Sequence, residues 1–244
     1  MRDTKKALAF DGIRHIAHII ADTSGRLEAR LIKLSNEPSD ETVHADMALL
    51  VHDIWSIIDN TRRLLPLFEI VGLKINDVRH IKILADIKEL RDSFHHLEER
   101  IKLYFKDNGD SLFGQIYWQS REDGQERAIT HIARSGILLG PSQVTEQPVK
   151  LYIKGTRFAN ALGVFNLNLV YVIKETFNKK TREMTFKRIE VNIDNLIDFL
   201  KITFPIIESS VIQATATAAL ENNIQIKDMQ QGEGPALMSI SPKD

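Results

Sequence analysis

At 244 residues and 27.8 kDa, the chain is long enough to bury a sizeable core as one large domain or one domain with an insertion. Its 32 basic and 33 acidic residues leave a formal net charge of -1, which excludes a chain-wide field that would steer nucleic acid or an anionic membrane, so any such contact has to come from a local patch. There is no cysteine, and that excludes disulfides, thiolate nucleophiles, iron-sulfur clusters and cysteine-based zinc sites.

The opening stretch, "MRDTKKALAFDGIRHIAHII", starts basic, but Asp11, Arg14 and His15 interrupt the apolar run that a signal peptide needs. Nothing reaches the ~18 uninterrupted apolar residues of a membrane span. The expected location is cytoplasmic, with no membrane partner.

Apolar residues at three- and four-residue spacing predict helices through the first hundred residues. The first runs from about Thr4 to Leu34 and stops at "SNEPSD", where Pro38 and Asp40 supply turn and N-cap chemistry. The second runs from about Glu41 to Leu65, with Met47, Leu50, Ile54, Ile57 and Ile58 on its apolar side, and Pro66 and Gly72 mark its end. The third runs from about Asn76 to Phe105 and closes at "KDNGD".

Beyond Ser111, aromatic and β-branched residues with glycine breaks predict strands. Phe165, Leu167, Leu169, Tyr171 and Ile173 alternate, "NKK" offers a turn, and a returning strand comes next, so the sheet is expected to be antiparallel. A last helix from about Ile193 to Asn222 contains Pro205, expected as a kink or break. The expected class is α+β. Residues 1–110 form a helical bundle that 192–228 could complete, residues 111–191 are a β-rich insertion between the third and last long helices, and 229–244 are a flexible tail. A helical domain followed by a separate α+β domain is the other arrangement.

The stretch with most chemistry is "ELRDSFHHLEERI", residues 89–101. On a helical wheel Ile83, Ile87, Leu90, Phe94, Leu97, Ile101 and Tyr104 share one stripe that should face the core. Arg91 lies on its flank, while Asp92, His95, His96 and Glu99 face water or a partner. Asp92 with His96, and His95 with Glu99, are i,i+4 pairs.

Arg91-Asp92-Ser93-Phe94-His95-His96 resembles the HEPN family, whose hallmark is an Arg and a His four to six residues apart on a helix of a four-helix bundle. The continuation through Glu98, Glu99 and Arg100 resembles a bacterial subset of it, from which Asp92 departs where that subset has Asn. The resemblance implies a HEPN-like bundle and a metal-independent endoribonuclease of a defence or toxin system. Arg91 would neutralise charge developing on the scissile phosphate and His96 would shuttle the proton, with Asp92 and His95 supporting. Five residues apart on a helix, Arg91 and His96 point about 140° from each other with about 7.5 Å of rise, so a homodimer that sets Arg91 of one subunit near His96 of the other is part of what the resemblance implies. RNA and a protein partner such as an antitoxin are the implied partners, with no cofactor and no metal. The alternative is a non-catalytic bundle binding RNA, a nucleotide or a protein.

Two further clusters carry candidate chemistry. "RHIAH" places His15 and His18 at a spacing that could bind a metal, but no further ligand is identifiable, and surface histidines are the expectation. "KETFNKKTREMTFKR", residues 174–188, interleaves Lys174, Lys179, Lys180, Arg182, Lys187 and Arg188 with Phe177 and Phe186, which makes this hairpin the expected nucleic-acid contact. Its bland counterpart is a solvated hairpin whose lysines discourage edge pairing. No GxSxG elbow, GxxxxGK[ST] loop or HExxH pair occurs.

Overall fold

The computed structural model describes residues 4–36, 40–105, 110–122, 128–134, 138–140, 143–145, 150–154, 161–178, 181 and 184–221. Helices α1 (Thr4–Asn36), α2 (Asp40–Val71) and α3 (Val78–His95) come first, then the single turn α4 (Leu97–Arg100) and a π-helical turn (Ile101–Phe105). Seven strands come next: β1 (Gln115–Glu122), β2 (Ile129–Arg134), β3 (Leu138–Gly140), β4 (Gln143–Thr145), β5 (Lys150–Lys154), β6 (Ala161–Phe177) and β7 (Met184–Asn192). Helix α5 (Ile193–Glu221) closes the described chain. The class is α+β, with the antiparallel strands between the third and last long helices as expected. Residues Met1–Phe199 form one compact unit, and α5 passes into a second from Leu200 onward.

The main sheet has the order β5-β2-β1-β6-β7 with every pair antiparallel. Period-two alternation sorts its side chains. Ile116, Trp118, Leu169, Tyr171 and Val191 are buried on one face, and each of the first three helices is tied to it. From α1, the Ser35 hydroxyl accepts the Trp118 indole N–H at 2.9 Å. From α2, Trp55 meets Tyr171 edge-on, with centroids 5.1 Å apart. From α3, the Ser93 hydroxyl donates to the Val172 carbonyl at 3.1 Å. The opposite face mixes Val170 and the buried Val172 with polar side chains, and there the Tyr117 hydroxyl donates to Glu190.

Helices α1 and α2 are locked in register by charge. Arg30 reaches Asp46 at 3.0 Å and Asp53 at 3.5 Å, Lys33 reaches Asp46 at 2.9 Å, and Arg26 reaches Asp53 at 3.6 Å. Three cations spaced four and three residues apart on one face of α1 thus match two carboxylates seven apart on α2.

Three expected boundaries move. Pro66 lies inside α2, because the buried Leu64 and Phe68 on either side of it hold the helix against the core in spite of the missing N–H. The helix ends instead at Gly72, whose φ of +78° permits a left-handed cap: Gly72 N–H donates to the Glu69 carbonyl at 3.1 Å and Leu73 N–H to the Phe68 carbonyl at 2.9 Å. The third expected helix starts two residues late, at an Asp77 cap whose side chain accepts from the Arg79 N–H at 2.8 Å. Hydrogen bonds from the Arg79 side chain and backbone hold the Asp77 carboxyl down to about 2.

That helix also breaks at His96, and the π-helical turn shifts the helical phase from Ile101 onward. Phe105 is buried there, while Ile101, expected on the core stripe, is 43% exposed. Pro205 lies within α5 without ending it. The expected tail, 229–244, is outside the described residues.

His131 on β2 is the most deeply buried histidine among the described residues, at 1% exposure. Its ring stacks on Trp118 with centroids 5.1 Å apart, its Nε2 shares a 2.7 Å hydrogen bond with the Ser120 hydroxyl, and its Nδ1 has no partner among the described residues. Burial pushes its pKa down to about 4 from an ordinary 6.5. The unfolded chain therefore takes up this proton near pH 6.5 and the folded chain only near 4, so stability that is complete above pH 6.5 is lost as pH falls toward 4. The loss expected from this one group is about 3 kcal/mol. Urea unfolding of the wild type and His131→Gln across this window should show a steeper fall for the wild type, and parallel curves would refute it.

Candidate functional site

Along α2, a stripe at three- and four-residue spacing runs from Met47 and Ala48 through Val51, His52, Trp55 and Ser56 to Asp59, Asn60 and Arg63. This stripe is one wall of a cavity of about 1000 Å³. Arg91, Phe94 and His95 of α3 and Phe113, in the turn before β1, supply the rest. The lining is mostly apolar toward Met47 and charged toward Arg63.

The middle of the groove is aromatic and fixed. Trp55 and Phe94 stack with centroids 4.1 Å apart and planes 22° from parallel, and Phe113 lies 5.9 Å beyond Phe94. The Trp55 indole N–H donates to the Phe113 carbonyl at 3.1 Å, which locks the ring. The next residue, Gly114, has a φ of +92°, and a Cβ there would sit 2.7 Å from Leu169 and 2.9 Å from the Val170 carbonyl. Only glycine lets the chain turn into β1 at this point.

The charged end is built on Asp59. Its two oxygens take Arg91 Nε at 3.1 Å and Arg63 at 2.7 Å. Arg91 and Asp59 are each about 30% exposed and Arg63 is 62% exposed, so two guanidiniums converge on one carboxylate at the groove mouth and leave a local excess of positive charge. Asn60 turns its amide N–H back to the Ser56 carbonyl at 2.9 Å. His52, 69% exposed, lies 3.4 Å from the buried carboxylate of Asp53, which connects the groove to the charges between α1 and α2.

The candidate residues of α3 separate here. Arg91 and His95, four residues apart and about 40° from each other on the helix, both line the groove. His96 is the exposed C-cap of α3, and neither it nor the exposed Asp92 is among the lining residues. Neither His95 nor His96 pairs with a carboxylate among the described residues, since the helix breaks where those i,i+4 contacts would form.

Arg100, at the end of the continuation that carries the resemblance, is buried at 3%. It donates to the Ser93 hydroxyl at 3.0 Å and to Met184 Sδ at 3.2 Å, and it stands 5.1 Å from the Phe186 ring. Burial lowers its pKa, opposed by Glu99 and Tyr171. Its place was legible in one respect, because seven residues from Ser93 it falls at nearly the same helical azimuth. The α2 half of the groove was missed; the available signal was the polar run His52, Ser56, Asp59, Arg63 beside the apolar stripe.

The described cations of the basic hairpin do not share one surface. Lys174 pairs across the ladder with Phe186, and Ile173 with Lys187, so the two exposed lysines point to opposite faces. Lys174 Nζ sits 4.7 Å over the Phe177 ring. Lys187 is close enough to Asp86 of α3 to oppose the rise that burial gives that carboxyl. Arg188 is bound to Asp110. Lys179, Lys180 and Arg182 lie outside the described residues. His15 lies 3.6 Å from Asp11, and among the described residues no group of three histidines and carboxylates could hold a metal ion. None of the helices searched among them is long and apolar enough to cross a membrane.

Comparison of the chain with family models, with curated proteins and with solved structures finds no match. The groove is thus characterised by its own energetics. Asp59→Ala should cost no more than about 1 kcal/mol in urea unfolding, because its ion pairs are partly solvated, whereas Trp55→Ala should cost about 3–5 kcal/mol. Equal losses would make the Arg63-Asp59-Arg91 cluster a structural one.

Proposed function

We propose that the protein is a binding module whose α2–α3 groove takes a small molecule with an apolar body and one anionic group. The observation that carries this reading is the pairing of Arg63 and Arg91 through Asp59 at one end of an otherwise apolar groove. A ligand carboxylate or phosphate offers the two forks the same oxygens that Asp59 offers, and adds to a site that is short of negative charge. The volume is that of a ligand pocket.

A HEPN-like, metal-independent endoribonuclease acting as a homodimer on RNA is the second reading. It is favoured by Arg91 and His95 lining the same groove, with His95 taking the proton-shuttling role first expected of His96. Lys174 and Lys187 would then be the described part of its RNA contact, and a protein partner such as an antitoxin would act on the same groove.

Thermal unfolding in the presence of a panel of small aromatic and aliphatic anions tests the first reading. A compound at about 100 times its Kd should stabilise the wild type by about 2.7 kcal/mol, lose this effect on Arg91→Gln, and keep it on His96→Ala. The same proteins incubated with a mixed RNA pool and EDTA test the second. Cleavage lost in Arg91→Ala and His95→Ala would replace the binding reading with the nuclease, and no stabilisation by any anion would remove the first reading on its own.

A further inference from the structure

The shape of the groove narrows the ligand further. Sixteen residues separate Met47 from Arg63 on α2, which at the helical rise is about 24 Å. The groove is long.

Its aromatic rings pack mainly on one another. Trp55 is 8% exposed, with Phe94 stacked 4.1 Å away and Tyr171 against its edge, and Phe94 has Phe113 beside it. The two guanidiniums also sit together at Asp59, which suits one terminal anionic group and not the evenly spaced phosphates of a nucleic-acid strand. Toward the other end the wall is the half-buried Val51 and the exposed Ala48, with the buried Met47 beneath them and the exposed His52 beside them.

Resting on the binding reading above, we infer that the groove takes a straight-chain amphiphile, a long alkyl or acyl chain ending in a carboxylate or phosphate, with its head at Arg63 and Arg91 and its tail laid along α2 toward Ala48. The head displaces Asp59 from one or both guanidiniums, and the tail covers Trp55, Phe94 and Val51.

Calorimetric titration of the full chain with monomeric n-alkyl carboxylates and n-alkyl phosphates, about 6 to about 16 carbons long, tests this. Affinity should tighten about 2- to 4-fold per added methylene and level off at the longest chains, where the tail reaches Ala48. Whichever head binds tighter at equal chain length identifies the anionic group. The neutral n-alcohol of the same length should bind at least about 10-fold more weakly to the wild type, a difference that disappears in Arg63→Gln/Arg91→Gln. Ala48 is exposed and lines the far end, so Ala48→Trp should fold normally and bring the plateau to shorter chains.

Affinity independent of chain length, or a plateau unmoved by Ala48→Trp, overturns the inference. If short anions such as benzoate still bind and depend on Arg91, the binding reading survives without the chain. If no anion of any length binds, both fall, and tight binding of a short RNA in the groove would overturn the inference in favour of the nuclease.

Discussion

One buried hydroxyl sets the geometry on which the groove depends. Ser93 donates to the Val172 carbonyl of β6 and accepts from Arg100 Nε, so both its hydrogen-bonding roles are used out of contact with water, where leaving either unmade costs about 1–3 kcal/mol. The bond fixes the rotation of α3 about its own axis. With Ser93 turned to the sheet, Arg91 and His95 fall on the flank toward α2, Phe94 stacks on Trp55, and His96 and Asp92 are carried round to solvent. The same contact draws Arg100 inward over Phe186, just where α3 gives way to a short turn and then a wider π-helical one.

The other wall is held by different physics. Asp53 is 3% exposed and Asp46 11%, and carboxylates so deep persist only because Arg26, Arg30 and Lys33 answer them. Such pairs contribute little net stability once desolvation is counted. Here they pin α2 against α1 in one register, and that register determines which stripe of α2 is left facing α3. Leaving Ala48 exposed and Val51 half-buried gives up burial energy that a closer fit of the helices would gain, which is the usual relation between a binding site and the stability around it.

Much of the fold was legible in the sequence, and what was not has common physical causes. The amphipathic periods of α1 and α2 and the alternation of β6 are local signals, and they read correctly. Pro66 misled because a local rule against proline in helices lost to the tertiary packing of Leu64 and Phe68. The break at His96 has no local marker such as glycine or proline, since it arises from Arg100 and Phe105 finding places in the core. The site was half visible. Arg91 stood out, but its partner Asp59 is 32 residues away, and nothing in a single sequence joins them. His96 was chosen from the motif that Arg91 and the Glu-Glu-Arg continuation resemble, whereas in the fold it is His95 that shares the groove-lining flank of Arg91.

Arginine side-chain NMR observes the central claim directly. In the wild type the Arg91 Nε–H, bonded to Asp59, should exchange slowly with solvent. Asp59→Asn should speed that exchange by removing the acceptor, and Ser93→Val should do so by releasing α3 from the sheet while both members of the ion pair remain. If Arg91 Nε–H exchanges as fast as a free guanidinium in the wild type, or stays equally protected in Ser93→Val, then Ser93 does not aim Arg91 into the groove.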